Sequence, residues 1–131
     1  MAAIKGVTTG VFLEQIRQYE SEVIENDILN KKLQEMTAKY EIITQKVIDT
    51  DYPDYLDFHT RRLVEMAGNI IMGYLLVLNS QRDEKFTRSA KIFIDLARSE
   101  NQEKYDYMDN FEVESIELYK IKDSEILQEI V

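Results

Sequence analysis

Apolar residues recur at steps of three and four along most of this chain, and little interrupts them. Phe12, Ile16, Tyr19 and Val23 fall on one helical face. Leu29, Leu33, Met36, Tyr40, Ile43 and Val47 fall on another. Only four Gly and one Pro occur in 131 residues. An all-β chain of that length needs many turns, most of them marked by Gly, Pro, Asn or Asp. The expectation is an all-α fold, a four-helix bundle of up-and-down type, occupying residues 1–131 as one domain.

The same spacing sets the expected boundaries. A first helix is expected near 10–25, with Thr8 or Thr9 as its N-cap. Its seam, if continued, predicts apolar residues at positions 26 and 30, and both are Asn. The phase is lost around Asn26-Asp27, which favours a corner and a second helix near 28–49. Thr50-Asp51-Tyr52-Pro53-Asp54 is the clearest loop. Pro53 cannot extend the helix before it and suits the start of the next, so a third helix is expected near 54–80. The fourth is expected near 83–110, with Ser80 and Asp83 at capping spacing and a seam of Phe86, Ala90, Phe93 and Ala97. From Asn101 polar residues take over. The remaining tail, 111–131, mixes helical and alternating spacing, and from Arg98 onward there are ten acids against four bases.

The third helix is the expected centre. Asp57, Arg61 and Glu65 form an exposed i, i+4 stripe, and beyond them Met66 to Leu78 is apolar nearly all round. Such a helix is buried on more than one side. Ile70, Ile71, Tyr74, Leu75 and Leu78 are expected among the most buried residues, facing Leu33, Met36, Tyr40, Phe86 and Phe93. Gly68 and Gly73 each weaken the helix by about 1 kcal/mol relative to Ala, and they read as places where a neighbour crosses too closely for a Cβ. The apolar stretch is 13 residues long and broken by Gly and Asn. A membrane span needs about 20, so no membrane association is expected. With no apolar leader at Met1 and no Cys, the expected location is cytoplasmic.

Charge and residue types exclude several chemistries. Sixteen Lys and Arg against twenty-five Asp and Glu leave a net charge of −9, unsuited to neutralising nucleic-acid phosphates. No Cys means no thiolate metal site and no thiol nucleophile. A single His removes every multi-His metal site and the Glu-x-x-His pairs of di-iron bundles. His59 stands among Asp57, Arg61 and Arg62 and reads as an ordinary surface residue. One competing use is phosphotransfer, since small acidic helical bundles carry a phosphorylated His in a pattern like His-x-x-Lys-Gly. Here the run is His59-Thr60-Arg61-Arg62-Leu63, with Leu where the small residue belongs. No catalytic, cofactor or metal residue is expected.

The segment from Arg61 to Leu76, continued by Arg82-Asp83-Glu84-Lys85-Phe86 and Ser89 to Ile94, resembles the C-terminal helical domain appended to bacterial acyl-CoA dehydrogenases. The resemblance implies an accessory bundle that follows a flavin-binding body and packs on that body or at a subunit interface. Nothing here matches the family's flavin-binding domains or its Tyr-Glu-Gly-Thr-like segment with the catalytic Glu. The implied FAD and oxidoreductase chemistry of fatty-acid metabolism therefore belong to a parent enzyme, and this chain reads as a piece of it that binds no cofactor itself. A stand-alone interaction module is the alternative.

Aromatic residues mark an expected interface. Tyr52, Tyr55 and Phe58 cluster around Pro53, and Tyr105, Tyr107, Phe111 and Tyr119 open the acidic tail. Ordinary surfaces seldom group so many. They are expected to rest on the dehydrogenase body or to pair two copies in a weak homodimer, which salt would tighten by screening the −9 charge.

Overall fold

A computed structural model describes residues 2–24 and 28–120, with side chains from Lys5 onward. The expected corner at Asn26-Asp27 and the tail beyond Lys120 lie outside these residues. Five α-helices follow one another: α1 (Ala2–Thr8), α2 (Val11–Glu22), α3 (Ile28–Asp49), α4 (Tyr55–Arg82) and α5 (Thr87–Asp109). A 3₁₀ turn, Glu84–Phe86, joins α4 to α5. Residues 115–120 form a further helical turn, and no strand occurs among the described residues.

Side-chain pairs between helices fix the direction of each. Arg17 meets Glu41 and Gln34 meets Glu20, so α2 and α3 are antiparallel. Asn69 meets Glu100, while Glu65 meets Lys104, so α4 and α5 are antiparallel. On α3 and α5, Lys32–Asp95, Arg98–Glu35, Lys39–Gln102 and Lys46–Asp109 all lie 63 residues apart, which makes this directly packed pair parallel. The connectivity is thus up-and-down, as expected.

Helix α4 is the hub and packs against α1, α2, α3 and α5. By length and composition it could cross a membrane. Here one face, Leu63, Met66, Ala67, Ile70, Tyr74 and Val77, is closed off by its neighbours. Ile70 and Tyr74 are fully buried as expected, but Ile71, Leu75 and Leu78 are only half-buried. The helix is apolar on more faces than its neighbours cover. All six expected seam residues of α3 are buried. On α2, Ile16 is buried, with Phe12, Tyr19 and Val23 packed around it.

Four expectations are corrected. Thr8 and Thr9 do not cap α2. They end α1, where the Thr9 hydroxyl donates to the Lys5 carbonyl, and Gly10 turns the chain with φ 75°. Phe86 is not in the core. It lies in the 3₁₀ turn, and the buried face of α5 is Ala90, Ile94, Ala97, Asn101 and Met108, with Phe93 at its edge. Asn101 opens the polar run 101–104 but does not face solvent. It is buried, its amide donates to the Met66 carbonyl at 3.2 Å, and its carbonyl oxygen accepts from Asn69 at 2.9 Å. Satisfied on both sides, it holds α4 and α5 in register. Ser80 does not cap α5 either. The Asp83 carboxylate accepts from the Lys85 N–H instead.

The two central glycines behave differently. A Cβ on Gly73 would stand 2.5 Å from Leu33 Cδ2 and 3.5 Å from Ile94 Cγ1, so α3 and α5 both close on it. Around Gly68 nothing lies within 4 Å, so the expected close crossing does not occur there.

Candidate functional site

One end of the bundle is built almost entirely of rings. Asp54, after Pro53, takes the left-handed conformation with φ 67°, which a short polar side chain tolerates. Its carbonyl accepts from the Phe58 N–H at 2.8 Å and starts α4. Tyr55, Phe58, His59 and Arg62 then share one side of the first two turns, at i, i+3, i+4 and i+7. Opposite them stand Tyr107 and Phe111, at and just beyond the end of α5, and Tyr119 of the final turn.

The expected surface histidine is at the centre of this cluster. His59 is fully buried, and neither ring nitrogen has a hydrogen-bond partner. Its ring meets Tyr55 at 4.7 Å and 88°, Phe58 at 5.0 Å and 75°, and Phe111 at 5.0 Å and 88°. Its charged neighbours Asp57 and Arg61 point away from this face, and the helical phase that buries Leu63, Met66 and Ile70 buries His59 too. Burial, aided by the nearby Arg62 cation, lowers its pKa from 6.5 to about 4. An imidazole enclosed on all sides cannot meet a phosphodonor, so the structure argues against phosphotransfer through His59 in this arrangement.

Arg62 closes the cluster on one side. Its guanidinium lies 4.5 Å from the Tyr107 ring centre and 5.2 Å from that of Phe58, and it donates to the Phe58 carbonyl. The final turn is tied down from the other side. Lys120 pairs with Asp54 at 3.0 Å, the Tyr52 hydroxyl donates to Glu117 at 3.4 Å, and Ile116 is buried. The Tyr107 and Tyr119 hydroxyls share a hydrogen bond of 3.0 Å, and burial pushes the Tyr107 hydroxyl pKa up.

Of the seven aromatic residues singled out from the sequence, five are thus gathered: Tyr55 buried, Phe58, Tyr107 and Phe111 half-buried, Tyr119 exposed. Tyr52 stands beside the cluster, its carbonyl accepting from the Tyr55 N–H at 3.2 Å and its hydroxyl donating to Glu117. Tyr105 faces α3, with the Lys39 ammonium 6.0 Å from its ring centre. Outside the rings lies a groove of about 570 Å³ lined by Tyr107, Asn110, Phe111, Glu112, Ser115, Leu118 and Tyr119. Leu118 is 65% exposed and Tyr119 46%. The groove offers apolar area and one carboxylate. Among the described residues no group of three His, Cys, Asp or Glu could hold a metal.

Residues 8–116 match the family described as acyl-CoA dehydrogenase C terminal. A crystal structure of an acyl-CoA dehydrogenase family protein from Porphyromonas gingivalis superposes with a TM-score of 0.80 at 30% identity, covering 86% of this chain and 99% of that one. No curated protein matches the chain. The family match takes in all of α2 to α5 and the ring cluster up to Ile116, and the chain belongs to the acyl-CoA dehydrogenase C-terminal domain family.

Proposed function

We propose that this chain is a non-catalytic accessory domain of a flavin-dependent acyl-CoA dehydrogenase, docking on the flavin-binding body through its aromatic end. The observation that carries this is the groove beside Phe111, where the exposed Leu118 and Tyr119 adjoin a continuous floor of aromatic rings. Exposed large apolar side chains grouped at one place mark a contact surface. Oxidation of the acyl thioester, with its flavin, belongs to the body, and this domain contributes cover and support.

The test is direct. The domain, tagged, should retain the separately expressed flavin-binding body of the same enzyme on a column, and by itself should be colourless. Failure to retain the body, or stoichiometric flavin absorbance in the isolated domain, contradicts the proposal. A homodimer is the competing use of the same surface, and sedimentation of the isolated domain over a range of concentrations separates the two.

A further inference from the structure

The chemistry around the groove narrows what can enter it. From Glu103 to Glu117 there are six acids and one base, Lys104. Asp109 is paired with Lys46, Glu117 lies near Lys120, and Lys104 is committed to Glu65. Glu103, Asp106, Glu112 and Glu114 have no cation within ion-pair distance among the described residues. Arg62 is the one cation among the rings, half-buried and already stacked on Tyr107 and Phe58. The groove therefore has an apolar floor, from Phe111, Leu118 and the tyrosine rings, and an acidic rim where Glu112 lines it and the exposed Glu114 precedes Ser115 of that lining.

Such a site repels polyanions. The phosphates of an acyl-CoA carry several negative charges, so the rim disfavours the substrate of the parent enzyme. A second copy of the chain, at net −9, brings the same repulsion. The favoured occupant presents positive charge around a large apolar side chain, since paired potentials select partners and apolar anchors in pockets hold them.

We infer that the groove receives a short Lys- or Arg-rich segment of the dehydrogenase body, bearing one large apolar side chain that seats between Phe111 and Leu118 while its cations meet Glu112 and the neighbouring acids. This rests on the accessory-domain reading and names the partner that reading leaves open.

The test uses a labelled twelve-residue peptide of alternating Lys and Leu with one central Phe, and its counterpart with Glu for every Lys. Binding is followed by fluorescence anisotropy. The Lys peptide should bind and the Glu peptide should not, and raising ionic strength from about 0.05 to 0.3 M should weaken the Lys peptide by roughly fivefold or more. Glu112→Lys and Leu118→Ser should each weaken it by about fivefold or more. Glu84→Lys, the same charge change at the opposite end of the molecule, should leave it unaltered. Equal binding of both peptides, or equal loss from Glu84→Lys and Glu112→Lys, overturns the inference. So does tight Lys-peptide binding that appears only after residues 121–131 are deleted. A parallel arm uses the flavin-binding body itself. If the body binds and the Glu112 and Leu118 variants do not weaken it, the groove is not the contact, though the accessory reading stands. If the peptide arm behaves as stated and the body never binds, the accessory reading fails by itself.

Discussion

The middle of the bundle and its aromatic end are built on different terms. In the middle, Leu33, Ile43, Ile70, Tyr74 and Ile94 are fully buried, and α3 and α5 close on Gly73. The polar bridge between α4 and α5 there, Asn101, is satisfied by Asn69 and the Met66 carbonyl, while the buried Tyr74 hydroxyl has no hydrogen-bond partner. At the end, the rings of Phe58, Phe111 and Tyr119 meet at 5.1 to 6.3 Å in tilted pairs and leave a groove open beside them. His59 is enclosed there with both nitrogens unpaired. The middle carries the stability of the domain. The end differs in closure, leaving an open groove beside its rings.

The sharpest way to break this contrast is Ile70→Ala. Removing a fully buried side chain at the hub should destabilise the domain by about 2–5 kcal/mol in denaturant unfolding. A near-neutral result would place the core elsewhere.

The aromatic end should show itself through pH. His59 has a folded-state pKa lowered from 6.5 to about 4. Above pH 6.5 both folded and unfolded chains hold it neutral and it has no effect. Between 6.5 and 4 the unfolded chain binds a proton that the folded one refuses, so stability falls with pH, by about 2–3 kcal/mol once solvent screening is allowed for. His59→Leu should flatten this part of the profile and keep stability at pH 7 within about 1.5 kcal/mol, whereas an unchanged profile would assign the acid sensitivity to other groups.

The glycines give a smaller, two-signed test. Gly73→Ala should destabilise by about 1–2 kcal/mol, because the enclosed Leu33 must move. Gly68→Ala, with open space around it, should stabilise by about 0.5–1 kcal/mol through helix propensity alone. Thermal melts of the pair decide it, and equal signs would contradict the packing described. Smallest of all, Arg98→Ala removes a half-exposed pair with Glu35 at 3.0 Å and should change stability by less than about 1 kcal/mol.

Where residue type and helical phase agreed, the fold was legible from the amino acids. The six seam residues of α3 and the loop at Pro53 are the clearest cases. Reading went astray where type and phase disagreed. His59 is in phase with Tyr55, Leu63, Met66 and Ile70, and Asn101 with Ile94, Ala97 and Met108. Their polar character argued for the surface, and phase decided. Phe86 is the converse, an apolar residue in a short turn at the bundle's edge, where it stays 36% exposed. Helix α1 was missed because its seven residues are too short for a periodic signal. The aromatic residues were recognised as a group. Which of them meet depends on α4 and α5 being antiparallel and on the chain folding back after Asn110, and no local pattern carries that.

Hydrogen–deuterium exchange of the domain, alone and with the flavin-binding body of the same enzyme, tests the central claim most directly. The account predicts added protection confined to residues 105–120 and the first two turns of α4, with α2 and the α4–α5 turn unchanged. Protection centred on α2 or that far turn, or none at all with the body bound, would contradict it.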